Sequence, residues 1–220
     1  MGEAKFLLET EAVRLLAASG IGYPDYGVAQ SEWEAAEIAE TIGCPVVLKI
    51  VSPQIVHKSD AGGVKVGLNG REEVIAAYRS IMNSAGIYCP EAEIKGMIVA
   101  RQAPKGQEVI IGMINDDIFG KTLMFGMGGI FAELLNDVTF RVCPVDRENA
   151  ESMIRETRMA KLLDGYRGAA GLDTEALADL LVKVSDMAVK NGDIGGLDLN
   201  PVVVYEKGLM VLDARVMVGN

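Results

Sequence analysis

Between Ile94 and Phe125 three apolar segments follow one another, 94–100, 108–114 and 121–125, separated only by the turn formers Ala103-Pro104-Lys105-Gly106 and Asn115-Asp116-Asp117. A chain that lays strands next to strands in this way does not alternate strand and helix, which excludes a strictly doubly wound parallel sheet. The other strand patterns fall at 46–51, 64–68, 140–143, 197–205 and 209–216, and helical spacing at 3–19, 31–42, 72–85, 147–163 and 174–191. Ser31 caps the second helix and Gly43 closes it. The mixture predicts an α+β protein of two lobes. The change of pattern near 101–107 reads as a hinge, with an N-terminal helix and smaller lobe over 1–102 and a larger lobe over 103–220.

Half of the 220 residues are apolar and 24% are charged, the composition of a globular chain with enough length for a sizeable core. The formal net charge of −10 argues against nucleic acid, whose binding rests on Lys and Arg contacts to phosphate, so any phosphate site is built locally against the overall field. Cys44, Cys89 and Cys143 match no metal spacing and fit buried thiols in a reducing cytoplasm. Met1 to Thr10 contains Glu3 and Glu9 and lacks the apolar core of a signal peptide. No run approaches the ~18 apolar residues of a membrane span.

His57 is the one histidine of the chain, in the string His57-Lys58-Ser59-Asp60-Ala61-Gly62-Gly63. An imidazole accepts a phosphoryl group, and adjacent glycines let several backbone N–H groups converge on an anion without Cβ obstruction. Phosphoryl transfer is the chemistry this string points to; the plain alternative is a mobile surface hairpin with incidental polar residues. Lys49 sits inside the apolar strand 46–51. A lysine is costly to bury unpaired, so it either faces solvent or meets an anion, and strand alternation allows both. With no second histidine, a hydrolase triad has little support.

In Leu197-Asp198-Leu199-Asn200-Pro201 the leucines point to one face and Asp198 with Asn200 to the other. If Lys207-Gly208 is a two-residue hairpin turn, Asp213 lies opposite Val202 and diagonally beside Asn200, on the same face. Two carboxylates and an amide are oxygen donors of the kind Mg2+ takes; a turn one residue longer sends Asp213 to the other side. Gly126-Met127-Gly128-Gly129 with Asp146 twenty residues on imitates a dinucleotide-binding turn, but the helix after it has room for only about seven residues. Glycines that allow close backbone packing are the better reading.

Taken together, Pro45–Val64, Glu108–Ile114, Met124–Phe131, Gly165-Tyr166-Arg167-Gly168, Leu197–Pro201 and Leu212-Asp213-Ala214-Arg215 resemble the β-subunits of ADP-forming acetyl-CoA synthetases over nearly the whole chain. The resemblance implies an ATP-grasp fold, two α+β lobes with the nucleotide in the cleft between them. It implies that Lys49 contacts nucleotide phosphates and that the loop with Lys58, Ser59, Gly62, Gly63 and Val64 closes over them. Val99, Ala100, Arg101 and Gln102 would hold adenine through backbone groups, with Glu108 near the sugar. Asn200 and Asp213 would carry Mg2+, with Asp198 beside them, and His57 would relay a phosphoryl group to ADP. The implied reaction is acyl-CoA + ADP + phosphate = acid + ATP + CoA, with ATP/ADP and Mg2+ as cofactors and a CoA-binding α-subunit as partner in an α2β2 complex. Gly196 departs from the glutamate more often found before Leu-Asp. Two other readings remain open: a succinyl-CoA synthetase-type β-subunit or another ATP-grasp ligase, and a non-catalytic nucleotide-sensing subunit.

Overall fold

The apolar strands at 107–116 and 120–127, joined by a short turn, are neighbours in one sheet, whereas 96–101 just before them lies in another. The computed structural model describes residues 4–129 and 137–219. These fall into two units, each with its own core: Pro24–Pro104, and the described residues up to Tyr23 together with those from Lys105 onward.

In the unit of Pro24–Pro104 the strands are β2 (Tyr26–Ala29), β3 (Val46–Val51), β4 (Val64–Leu68) and β5 (Gly96–Arg101), in the order β2-β5-β3-β4 with every pairing antiparallel. Helices α2 (Glu32–Ile42) and α3 (Arg71–Tyr88) complete it. Ser31 Oγ accepts the N–H of Glu34 at 3.2 Å and Gly43 takes φ 87, the cap and stop expected. Ala35, Ala36 and Ala39 are fully buried, and such small side chains let α2 approach Leu48, Ile50, Met97 and Val99 closely.

The second unit holds β1 (Lys5–Phe6), β6 (Gln107–Asp116), β7 (Gly120–Met127), β8 (Val138–Val142), β9 (Ile194–Val204), β10 (Leu209–Val211) and β11 (Ala214–Val218). Its sheet runs β1-β11-β9-β6-β7-β8, with β10 also on β9. Helices α1 (Glu9–Ala18), α4 (Arg147–Glu156), α5 (Ala160–Leu163) and α6 (Thr174–Lys190) belong to the same unit. Leu16, Met153, Leu181 and Val184 pack with Ile111, Leu123, Phe125 and Leu199 in one core.

Three expectations are corrected. The N-terminal helix belongs with the larger unit, because Lys5 and Phe6 pair with Val218 and Met217 and Leu16 joins that core; 1–102 is therefore not one lobe. The helix expected over 147–163 is interrupted at Thr157–Met159, where Asp137 accepts the N–H groups of Arg158 and Met159 at 2.8 and 3.0 Å. The free thiols are not buried: Cys44 is exposed and Cys89 and Cys143 are half-buried. The short β2 was missed because Tyr26-Gly27-Val28-Ala29 lacks a β-branched run. Among the described residues no helix is long and apolar enough to cross a membrane.

Candidate functional site

On β3, Leu48 and Ile50 are fully buried while Lys49 stays half-buried on the opposite side, where it pairs in register with Val64 on β4 and Ile98 on β5. Both neighbours are apolar, so the ammonium rises from a mostly apolar patch. Strand alternation and core demand fix this orientation.

The segment after β3 is a built turn rather than a mobile hairpin. Ile55 (1% exposed) and Ala61 (3%) anchor it in the core of its unit. Gly63 N–H donates to Lys58 O at 2.7 Å, Gly62 N–H to Ser59 O at 3.0 Å and Ala61 N–H to His57 O at 3.4 Å. A Cβ on Gly63 would stand 2.6 Å from Ile50 Cγ2, so only glycine lets the turn return this close to β3. This corrects the amide-cradle expectation: the N–H groups of Ala61, Gly62 and Gly63 are donated inside the turn, and reach a phosphate only if the turn rearranges. Lys58 is buried (9% exposed), whereas His57 and Ser59 are exposed. The imidazole is thus presented to solvent on a segment pinned by buried residues on both sides.

Val99 and Ala100 are buried in the middle of the sheet, with β2 on one side and β3 on the other. Arg101 N–H donates to Asp25 O at 2.8 Å and Gln102 N–H to Pro45 O at 3.0 Å. Both donors are thus occupied within the unit. Gln102 Oε1 accepts the N–H of Gly67 at 2.5 Å, and the Arg101 guanidinium bonds to Ile42 O and lies 3.5 Å from Asp25 Oδ2.

In the other unit Glu108, the second residue of β6, is exposed and in register with Val203. Its carbonyl accepts Gly128 N–H at 3.1 Å, and its Oε2 is 3.0 Å from where a Cβ of Gly129 would stand. A Cβ on Gly128 would lie 2.9 Å from the backbone of Glu108 and Val109. The glycines after β7 therefore serve close backbone packing, as expected; Ile130 and Phe131 of the sequence string lie outside the described residues.

Leu197 and Leu199 of β9 enter the core; Asp198 is half-buried and Asn200 exposed on the other side. The register of the hairpin differs from that expected. Tyr205 N–H donates to Gly208 O at 3.1 Å, so Glu206-Lys207 form the turn; Val211 lies opposite Val202 and Ala214 opposite Leu199. Asp213 is consequently across from Asn200, whose N–H donates to Asp213 O at 3.3 Å, and not across from Val202. The slip is two residues, which preserves the face. Asp173 sets it: its Oδ2 accepts Gly208 N–H at 2.7 Å and its Oδ1 accepts Ala176 N–H at 2.9 Å. These two donors hold the Asp173 carboxyl below its usual range. Asp213 Oδ2 is 3.8 Å from Arg215 Nε, and Arg215 is the register partner of Asp198. Asp198, Asn200, Asp213 and Arg215 thus share one face, beside a slip in the β6–β9 ladder between Val109 and Ile111. Arg215 was not among the expected site residues, although two-residue spacing from Asp213 placed it on that face.

Two carboxylates and an amide oxygen suit Mg2+, which binds through one or two carboxylates and leaves places for water and phosphate. Among the described residues no group of three or more His, Cys, Asp or Glu comes together, so a site built wholly from such side chains is absent there.

The family model of the ATP-grasp domain matches residues 2–218. The chain belongs to the ATP-grasp family. This ATP-grasp chain is 47% identical over 98% of its length to the acetate–CoA ligase (ADP-forming) I subunit beta of Pyrococcus furiosus, covering 93% of that protein. It is 43% identical over 95% of its length to the acetate–CoA ligase (ADP-forming) I of Archaeoglobus fulgidus, where it spans 30% of the longer polypeptide. Among solved structures, the dinucleotide forming acetyl-coenzyme A synthetase 1 of Ca. Korarchaeum cryptofilum in complex with coenzyme A, Ca-AMPCP and HgCl+ superposes with a TM-score of 0.94 at 50% identity, covering 97% of this ATP-grasp chain and 93% of that one. The same protein with coenzyme A and Mg-AMPPCP, its phosphohistidine segment pointing towards the nucleotide binding site, gives a TM-score of 0.83 at 46% identity over the same shares.

Proposed function

We propose that the chain is the nucleotide-binding β-subunit of an ADP-forming acyl-CoA synthetase, an acid–thiol ligase. With a CoA-binding α-type partner it converts acyl-CoA, ADP and phosphate to acid, ATP and CoA. The observation that carries this reading is His57, the sole imidazole of the chain, exposed on a turn anchored by Ile55 and Ala61. A phosphorylated imidazole is a reactive donor. The P–N bond at His57 breaks as a P–O bond forms to the β-phosphate of ADP, and the imidazole leaves as the neutral ring after taking a proton.

The set assigned to the phosphates (Lys49, Lys58, Ser59, Gly62, Gly63, Val64), which needs the turn to rearrange before its amides are free, and the oxygen-ligand set (Asp198, Asn200, Asp213) serve the same nucleotide in this reading. Lys49 offsets charge as two anions approach, and the apolar Val64 and Ile98 beside it lower the local dielectric and strengthen that attraction. Val99, Ala100, Arg101 and Gln102 would hold the base through backbone groups, and Glu108 would lie near the sugar. Asp198, Asn200 and Asp213 would hold Mg2+, which would supply positive charge to offset the charge developing on the phosphoryl group. The complex of the Korarchaeum protein with coenzyme A and Mg-AMPPCP supports the metal and the involvement of coenzyme A. The Archaeoglobus polypeptide, more than three times the length matched here, supports a partner that is covalently joined in some relatives. Three free thiols support a reducing cytoplasm.

The test is His57→Ala in the reconstituted complex. ADP affinity stays within about twofold of wild type while ATP synthesis falls below about one thousandth. Near-normal turnover removes His57 from the reaction.

A further inference from the structure

The face that carries Asp198, Asn200 and Asp213 also carries a permanent cation. Arg215 is directly across from Asp198 in the β9–β11 ladder, and its Nε lies 3.8 Å from Asp213 Oδ2. The two side chains of that pair retain only 27% and 18% of their exposure, so solvent screens them little. On the other side of Asp198 the register partner is Gly112, which brings no side chain. A guanidinium among the oxygen ligands of a divalent ion opposes the binding of that ion. Its planar fork also matches carboxylate and phosphate oxygens equally well, which a lysine does not.

We propose that Arg215 makes metal uptake conditional on nucleotide. Without nucleotide, Arg215 is the counter-cation of Asp198 and Asp213; it keeps the two carboxylates from repelling each other and disfavours the bare divalent ion. When nucleotide brings its phosphates to this face, the guanidinium turns to phosphate oxygens and the carboxylates are released to the metal. This rests on the magnesium reading above. It makes Arg215 a positioning residue for the metal and a direct ligand of phosphate.

Mn2+ is the probe, followed by electron paramagnetic resonance on the whole chain with and without ADP, in wild type, Arg215→Met and Arg215→Lys. Wild type retains Mn2+ weakly alone and strongly with ADP. Arg215→Met binds Mn2+ without ADP about tenfold more tightly, because a repelling charge is gone, and loses about tenfold in ADP affinity. Arg215→Lys keeps the weak nucleotide-free binding but recovers only part of the ADP affinity, since an ammonium lacks the fork. Should Arg215→Met fail to fold, Arg215→Gln also removes the charge and gives the same readout. Nucleotide-free Mn2+ binding that is unchanged or weaker in the neutral variant overturns the inference. Wild type that retains no Mn2+ at saturating ADP overturns the magnesium reading itself, and this inference with it.

Discussion

Two carboxylates, Asp198 and Asp213, give the face of β9 and β11 its negative charge. Asp213 is the more buried partner of its ion pair, at 18% exposure against 27% for Arg215, so its charge is poorly screened and its loss is felt. Asp213→Ala is expected to weaken binding of ADP with Mg2+ by at least about tenfold while ADP without metal changes little. Isothermal titrations with and without Mg2+ check this, and superimposable curves contradict it. At this scale much was legible: alternation places Lys49, Asp198 and Asn200 on the outward faces they occupy, because the leucines and valines between them have only the core to enter. The fate of the Ala61, Gly62 and Gly63 amides was not legible, since whether an N–H faces a ligand or its own turn depends on how Ile55 and Ala61 seat the loop. The burial of Lys58 escaped for the same reason.

The hairpin between β9 and β10 shows what an element adds to its residues. A turn at Lys207-Gly208 and the observed turn at Glu206-Lys207 differ by two in register, and local sequence weighs little between them. Asp173, thirty-five positions away from Gly208, selects the second by accepting its N–H while also capping α6. That long-range choice is invisible in a window of turn residues. Asp173→Ala is expected to cost about 1 kcal/mol, the usual worth of such a cap, and to loosen the loop that aligns Asp213 with Asn200. Because the folded carboxyl titrates below its ordinary value, its contribution is fully present at neutral pH and is lost as pH falls below about 4. Chemical denaturation of wild type and Asp173→Ala at pH 7 and pH 3 checks it: the gap narrows at the lower pH. A gap of equal size at both contradicts the assignment. The same dependence on distant partners explains why α1 was placed with the wrong unit: the pairing of Lys5 and Phe6 with β11 spans almost the whole sequence.

The whole molecule carries a formal charge of −10, yet the proposed reaction brings together two phosphate-bearing species. Long-range attraction would not supply that encounter, so in this reading it falls to local cations, Lys49 in one unit and Arg215 in the other. An α+β chain of two lobes was legible from strands that follow strands, but the division of those strands into two antiparallel sheets was not; the assignment to an ATP-grasp family rests on strings spread from Pro45 to Arg215 and on a match to residues 2–218. The proposed function depends most on whether His57 holds phosphorus. Because His57 is the only histidine, any acid-labile, alkali-stable label acquired from γ-labelled ATP with Mg2+ in the reconstituted complex is assigned to it once the partner chain is separated. The expected result is label on this chain that ADP chases into ATP and that is missing from His57→Ala. A wild-type chain that never takes up label, or a His57→Ala chain that takes it up equally, contradicts the account.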